Sequence, residues 1–227
     1  MSRGNTRQKA TEINMKSDIY GTFAEIGAGQ EVARQFFRAG GAANTIAKSM
    51  SAYDMVVSDA IYGKASSGRY VCEERLLKML QREYDQLIKR LSDQKASQHS
   101  FFVFADTVMT KNPKSERDGH GWLGIRFQSS PKSEPNEVIL HVRLHDRQNL
   151  QQQEALGIIG VNIIHACYNH RQDMKTFINA LMDDLGRDRL EVDMIRASGK
   201  AFKKFDSRLM ALELVKQNLT SAVMFDG

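Results

Sequence analysis

Scarcities narrow the reading first. The 227-residue chain has two cysteines, Cys72 and Cys167, and no CxxC pair. That argues against a disulfide framework and a structural zinc site, and it points to a reducing compartment. No stretch approaches the 18 consecutive apolar residues of a membrane-spanning helix. The segment Met1 to Lys16 is polar and lacks the apolar middle of a signal peptide. It reads as a flexible lead-in to a cytoplasmic protein. Only three prolines occur, Pro113, Pro131 and Pro135, all within 23 residues of one another. They fall in the connections between strand candidates. No internal repeat or low-complexity tract is present.

What remains is a globular composition, 41% hydrophobic and 26% charged, enough for a core of one large or two small domains. The net charge of +5 permits an anionic partner without requiring one. The basic residues are dispersed rather than gathered in a run, so nucleic acid is not the favoured partner.

The clearest helix spans 72–92, where Leu76, Leu77, Leu80, Tyr84, Leu87, Ile88 and Leu91 recur at three- and four-residue spacing. Upstream, Glu31 to Arg38 reads as a helix stopped by Gly40-Gly41, and Ala43 to Met50 as a second. Beyond residue 99 the pattern changes. FFVFADTV, WLGIRFQ at 122–128 and EVILHVRLHD at 137–146 read as strands, the last with period-two alternation. Their short connections predict an antiparallel meander. Helices follow at 150–168, apolar nearly all round from Ala155 to Ala166, and at Met174 to Leu185. A strand at 190–197, a helix at 207–217 and a strand-like 220–225 have β-α-β spacing, which predicts a parallel pair. The fold class is therefore α+β or α/β. A lead-in (1–16) and a helical region (17–98) precede a region (99–227) built on a mixed sheet of about five strands.

Several constellations could carry chemistry. Gly27-Ala28-Gly29 precedes a predicted helix, where backbone N–H groups can cradle phosphate. It lacks the third glycine of a dinucleotide fingerprint, follows no convincing strand, and serves equally as a tight turn. In the polar set from Asn44 to Asp59, Lys48 could contact an anion, and Asp54 and Asp59 could bracket one site. Capping by Asn44 and Ser51 on a solvated face accounts for the same residues. His120 sits between Gly119 and Gly121, which would let backbone approach a ligand. His141 and His145 share a strand face but lack the spacing of a zinc motif and read as a solvent-facing pair. His165, on the apolar helix, reads as a core histidine. Arg126, Arg143, Arg147 and Arg196 lie on or beside strand candidates. They could line an anionic pocket or merely protect strand edges. The binding candidates are Gly27, Gly29, Lys48, Asp54, His120 and Arg126. No catalytic signature, cofactor motif or metal site is recognised.

YGTFAEIGAGQEVARQFFRAGGAANTIAKSMSAYDMVVSDAIYG, FFVFADTV, HGWLGIRFQ, QQEALGIIGVNII and DSRLMALELVKQNLTSAVMF resemble a family of bacterial proteins. Its members carry the names nicotinate-nucleotide adenylyltransferase or TonB-dependent receptor. The second name conflicts with the absence of a leader and of a barrel pattern. The first implies nucleotide chemistry. The resemblance also implies that this chain corresponds to the N-terminal half of longer members, with the transfer site outside it. Three functions follow as expectations. One is a domain binding a phosphate-bearing metabolite or nucleotide. The others are an enzyme of nucleotide metabolism, and an assembly module, a homo-oligomer in the simplest case, using the apolar 155–166 helix.

Overall fold

The computed structural model describes residues 5–111 and 118–223, with the side chains of residues 92–94 excepted. The elements in chain order are α1 (Thr6–Asn14), β1 (Ile19–Ile26), α2 (Glu31–Ala39), β2 (Ile46–Met50), α3 (Met55–Tyr62), α4 (Glu73–Lys95), β3 (Ser100–Met109), β4 (Gly119–Gln128), β5 (Pro135–Leu144), α5 (Asn149–Asn169), α6 (Met174–Leu181), β6 (Leu190–Ser198) and α7 (Ser207–Lys216). Single turns of 3-10 helix cover Ala42–Asn44 and Lys200–Phe202.

The strands form one six-stranded sheet in the order β2-β1-β3-β4-β5-β6. β2, β1 and β3 run parallel, and β3 to β6 form the antiparallel meander. This is the mixed α/β architecture expected, with one more strand. β1 escapes sequence reading because all but one of its eight residues are buried, so no alternation marks it. Its Gly21 lies under the Phe102 ring, where a Cβ would come within 2.3 Å of Cε1. The helix expected over 43–50 is instead a 3-10 turn followed by edge strand β2. Proline opens β5 at Pro135 rather than lying wholly in a connection.

The parallel pairing expected at the C-terminus is found at β2-β1-β3. β6 is followed by α7, and residues 220–223 are not strand. The rest of that strand-like run, from residue 224, lies outside the described residues. The expected lead-in needs correcting too, since α1 is a packed helix. Asn5 caps it by accepting the Gln8 N–H at 2.8 Å, and Ala10 and Ile13 are fully buried. Its polarity conceals this, because Lys9 is buried only with partners more than 150 residues away. Its Nζ donates to Asn162 Oδ1 (2.8 Å), Asp183 Oδ2 (2.7 Å) and the Ala180 carbonyl (3.2 Å).

Two apolar layers sandwich the sheet. On one face α2, α5, α6 and α7 pack over Phe23, Phe102, Phe104, Leu123 and Leu140. On the other α4 lays Leu76, Met79, Leu80 and Tyr84 over Val103, Ala105 and Ile139. The apolar stretch of α5 from Ala155 to Ala166 is buried within the chain as expected, apart from half-buried Ile158. Past the N-terminal end of α4, the face of β4, β5 and β6 carries polar side chains.

Candidate functional site

Register places the polar side chains of that face. Trp122 on β4 lies opposite His141 on β5, and His120 opposite Arg143. On β6 the ladder shifts: His141 faces Met194 and the next residue, Val142, faces Val192. Asp193 is therefore the extra residue of a bulge, a device that re-aims a side chain. It turns its carboxylate toward β5. Asp193 Oδ1 lies 2.5 Å from His141 Nδ1, and Arg143 Nε donates to Oδ2 at 2.8 Å. His141 Nε2 in turn lies 3.2 Å from His120 Nδ1. The Trp122 ring packs on His141 at 4.9 Å between centroids.

Charge follows from this geometry. Burial pushes the Asp193 carboxyl up, but hydrogen bonds and charge from His141 and Arg143 outweigh it and hold the group below the usual carboxylate range. Asp193 is thus an anion, which only accepts. Burial lowers the His120 pKa from its ordinary value, helped by His141, Arg143 and Arg69 and opposed by Asp193. The result is an ordered Asp193–His141–His120 chain ending on a half-buried imidazole.

The six sequence candidates do not gather in one cleft. Gly27 and Gly29 follow β1 directly, contrary to the expectation of no preceding strand. The N-terminus of α2 already holds an acceptor: the buried Glu25 carboxylate takes the Val32 N–H at 2.9 Å and the Ala33 N–H at 3.0 Å. Lys48, on β2, ion-pairs with Glu83, which also accepts from the Tyr62 hydroxyl at 3.0 Å. Lys48 lines a cavity of about 130 Å³ with Thr22, Glu83 and Arg90. Asp54 is the cap of α3, accepting from Val56 and Val57 N–H. It takes the role expected of Asn44 and Ser51. Asp59 does not join it at a site but pairs with Arg75 and Tyr70. Arg126 pairs with Glu137 at 2.9 Å and stacks over Tyr84. Arg196, one of the strand arginines, pairs with Glu73.

His120 alone among the six reaches the polar chain, and its flanking glycines serve packing. A Cβ at Gly119 would lie 2.7 Å from Gln152 Oε1, and one at Gly121 would lie 2.6 Å from Val108 Cγ2. His141 is not solvent-facing, as it points at Asp193. His145 lies 3.7 Å from Glu191. His165 is nearly buried and takes Glu12 at 2.8 Å. Among the described residues no cluster of His, Cys, Asp and Glu could hold a metal ion. Sequence reading passed over Asp193. An acidic residue inside LEVDMIRA, read as a strand with alternating Leu190, Val192 and Met194, was the available signal.

No known family description and no curated protein matches the sequence. Solved structures do match. A competence/damage-inducible protein, CihA, from Agrobacterium tumefaciens superposes with a TM-score of 0.50 at 14% identity, covering 74% of this chain and 99% of that one. This chain shares its fold with the competence/damage-inducible proteins. One from Enterobacter asburiae gives a TM-score of 0.50 at 10% identity over 72% of this chain and 98% of the other. A CinA-superfamily protein from Klebsiella pneumoniae gives 0.50 at 11% over 71% and 96%. The sequence resemblance to proteins named adenylyltransferase or TonB-dependent receptor is overturned by this CinA-like fold. The reading of the chain as the N-terminal half of such a protein goes with it. No helix among the described residues is long and apolar enough to cross a membrane.

Proposed function

We propose that the chain binds a phosphate-bearing metabolite or nucleotide on the open face of β4, β5 and β6. The observation that carries the reading is the Asp193–His141–His120 chain, with Trp122 beside it and Arg143 at its rim. Open α/β sheets take ligands outside the carboxyl ends of their parallel strands. His120 lies opposite Met109, the last residue of β3, and so at that edge. The Arg143 side chain is 59% exposed and commits its Nε to Asp193, leaving its terminal N–H groups for a phosphate. Trp122 is a half-buried ring of the kind on which a nucleobase stacks. His120 contributes a hydrogen-bond donor to phosphate once protonated, so affinity rises as pH falls.

Trp122 is the sole tryptophan and therefore reports occupancy directly. AMP, ATP and inorganic phosphate should each be titrated while its emission is followed. Saturable quenching by AMP or ATP, weakened about 10-fold or more in Arg143→Ala, supports the reading. Emission that fails to saturate with all three sinks it.

A second reading, self-association, is favoured by a different surface. Tyr53, Met55, Val56 and Val57, at the start of α3, are 72%, 59%, 76% and 49% exposed. Such a cluster beside edge strand β2 suits a contact with a second copy. Sedimentation of the wild type and of Val56→Lys tests it. A dimer lost in the variant supports the contact, and a monomeric wild type removes it.

A further inference from the structure

We infer that His120 is a nucleophile that accepts a phosphoryl group on Nε2. The inference rests on the ligand class proposed above and adds a covalent step to it. The tautomers follow from the acceptor at one end of the chain. Asp193 as an anion can only accept, so His141 Nδ1 carries a proton toward Oδ1 at 2.5 Å. His141 Nε2 then holds a lone pair, and it lies 3.2 Å from His120 Nδ1. That nitrogen must carry the proton between them. His120 Nε2 is left with the free lone pair and takes no partner among the described residues.

This is the arrangement that activates an imidazole: a base oriented by a second group, itself held by a carboxylate. The step balances within the chain. The Nε2 lone pair forms the N–P bond, and the donor's bond to phosphorus breaks with its electron pair leaving on the donor. The Nδ1 proton of His120 passes to His141 Nε2, and the resulting imidazolium is stabilised by Asp193. Attack of water on phosphorus releases inorganic phosphate, and the proton returns along the same path. Asp193 and His141 are positioning residues here, while His120 touches the reacting atom.

The other well-placed histidines lack this arrangement. His99 Nδ1 meets the Lys95 carbonyl at 3.2 Å, and His165 Nε2 meets the Glu12 carboxylate directly at 2.8 Å. His165 packs edge-on against His170 at 5.3 Å between centroids, but neither His99 nor His165 has a ring nitrogen hydrogen-bonded to a second imidazole.

The test uses the full chain and phosphoramidate as a small phosphoryl donor, with peptides mapped by mass spectrometry under alkaline conditions that preserve phosphohistidine. Diethyl pyrocarbonate on the same protein ranks the histidines by nucleophilicity without any variant. The expected result is an acid-labile phosphoryl group on His120, and carbethoxylation of His120 ahead of His99 and His145. Labelling should fall at least about 10-fold in Asp193→Asn. A labelled His120 unaffected by Asp193→Asn in a folded variant overturns the relay. Labelling spread over exposed histidines, or absent while AMP still quenches Trp122, overturns the nucleophile and leaves the binding reading standing. Absence of both labelling and quenching overturns both.

Discussion

A Cβ built on Gly27 would lie 1.8 Å from the carbonyl oxygen of Val108. Gly27 has φ of 102° and sits where the chain leaves β1 against the end of β3. Gly29, two residues on, has φ of 81° but its nearest neighbour is Glu31 Oε1 at 3.9 Å. Gly27→Ala is expected to cost about 3–5 kcal/mol, combining a backbone clash with an unfavourable φ. Gly29→Ala carries the φ cost alone, about 1–2 kcal/mol. Urea unfolding of both variants checks the ranking, and equal losses would refute it.

Two buried carboxyls should make stability fall as pH rises toward neutrality. Burial raises Glu25 to about 7, against the Ala33 and Val32 N–H groups that pull it down. Burial and the Glu25 charge raise Asp106, whose Oδ1 accepts the Ile26 N–H at 3.1 Å. With folded pKa values above the unfolded ones, the native state binds more protons than the unfolded state between about pH 4.5 and 7. Stability is therefore greatest at the acidic end of that window and is lost through it. Denaturant midpoints measured from pH 5 to 7 should decline in the wild type and decline less in Glu25→Gln. A flat wild-type profile contradicts the assignment.

Lys9 ties α1 to the far end of the chain. Its side chain is 3% exposed and serves three acceptors. Lys9→Met keeps the stem and removes the charge, leaving buried acceptors without their donor. The expected loss is about 3 kcal/mol. Thermal unfolding of Lys9→Met against exposed Lys132→Met makes the comparison, and similar midpoints would show that α1 is dispensable.

The two thiols should behave differently. Cys167 is fully buried, and burial pushes its thiol well above the ordinary value. Cys72 is half-buried near the start of α4. A disulfide exchange reagent should modify Cys72 in the native protein and reach Cys167 only on unfolding. Fast reaction of both thiols under native conditions would contradict the packing of α5.

The legible parts of this chain are those whose pattern is local. α4 repeats its leucines on one side, and β5 alternates because one face is more polar. β1 carries no such mark, since both its faces are covered, and α1 draws its buried lysine's partners from residues 162–183. The site divides in the same way. His120 stands out by its own sequence surroundings. Asp193 does not, because its role depends on a register shift on a strand 52 residues from His141.

That shift has a consequence for how the site can be lost. A bulge adds one residue without a ladder partner, so β6 could shed Asp193 by a single-codon deletion and become a regular strand. The core alternation would need only local adjustment, since Leu190, Val192 and Ile195 already face one core layer and Met194 lies opposite His141. A deletion of that one residue is therefore expected to keep the sheet while removing the carboxylate that holds His141 and Arg143.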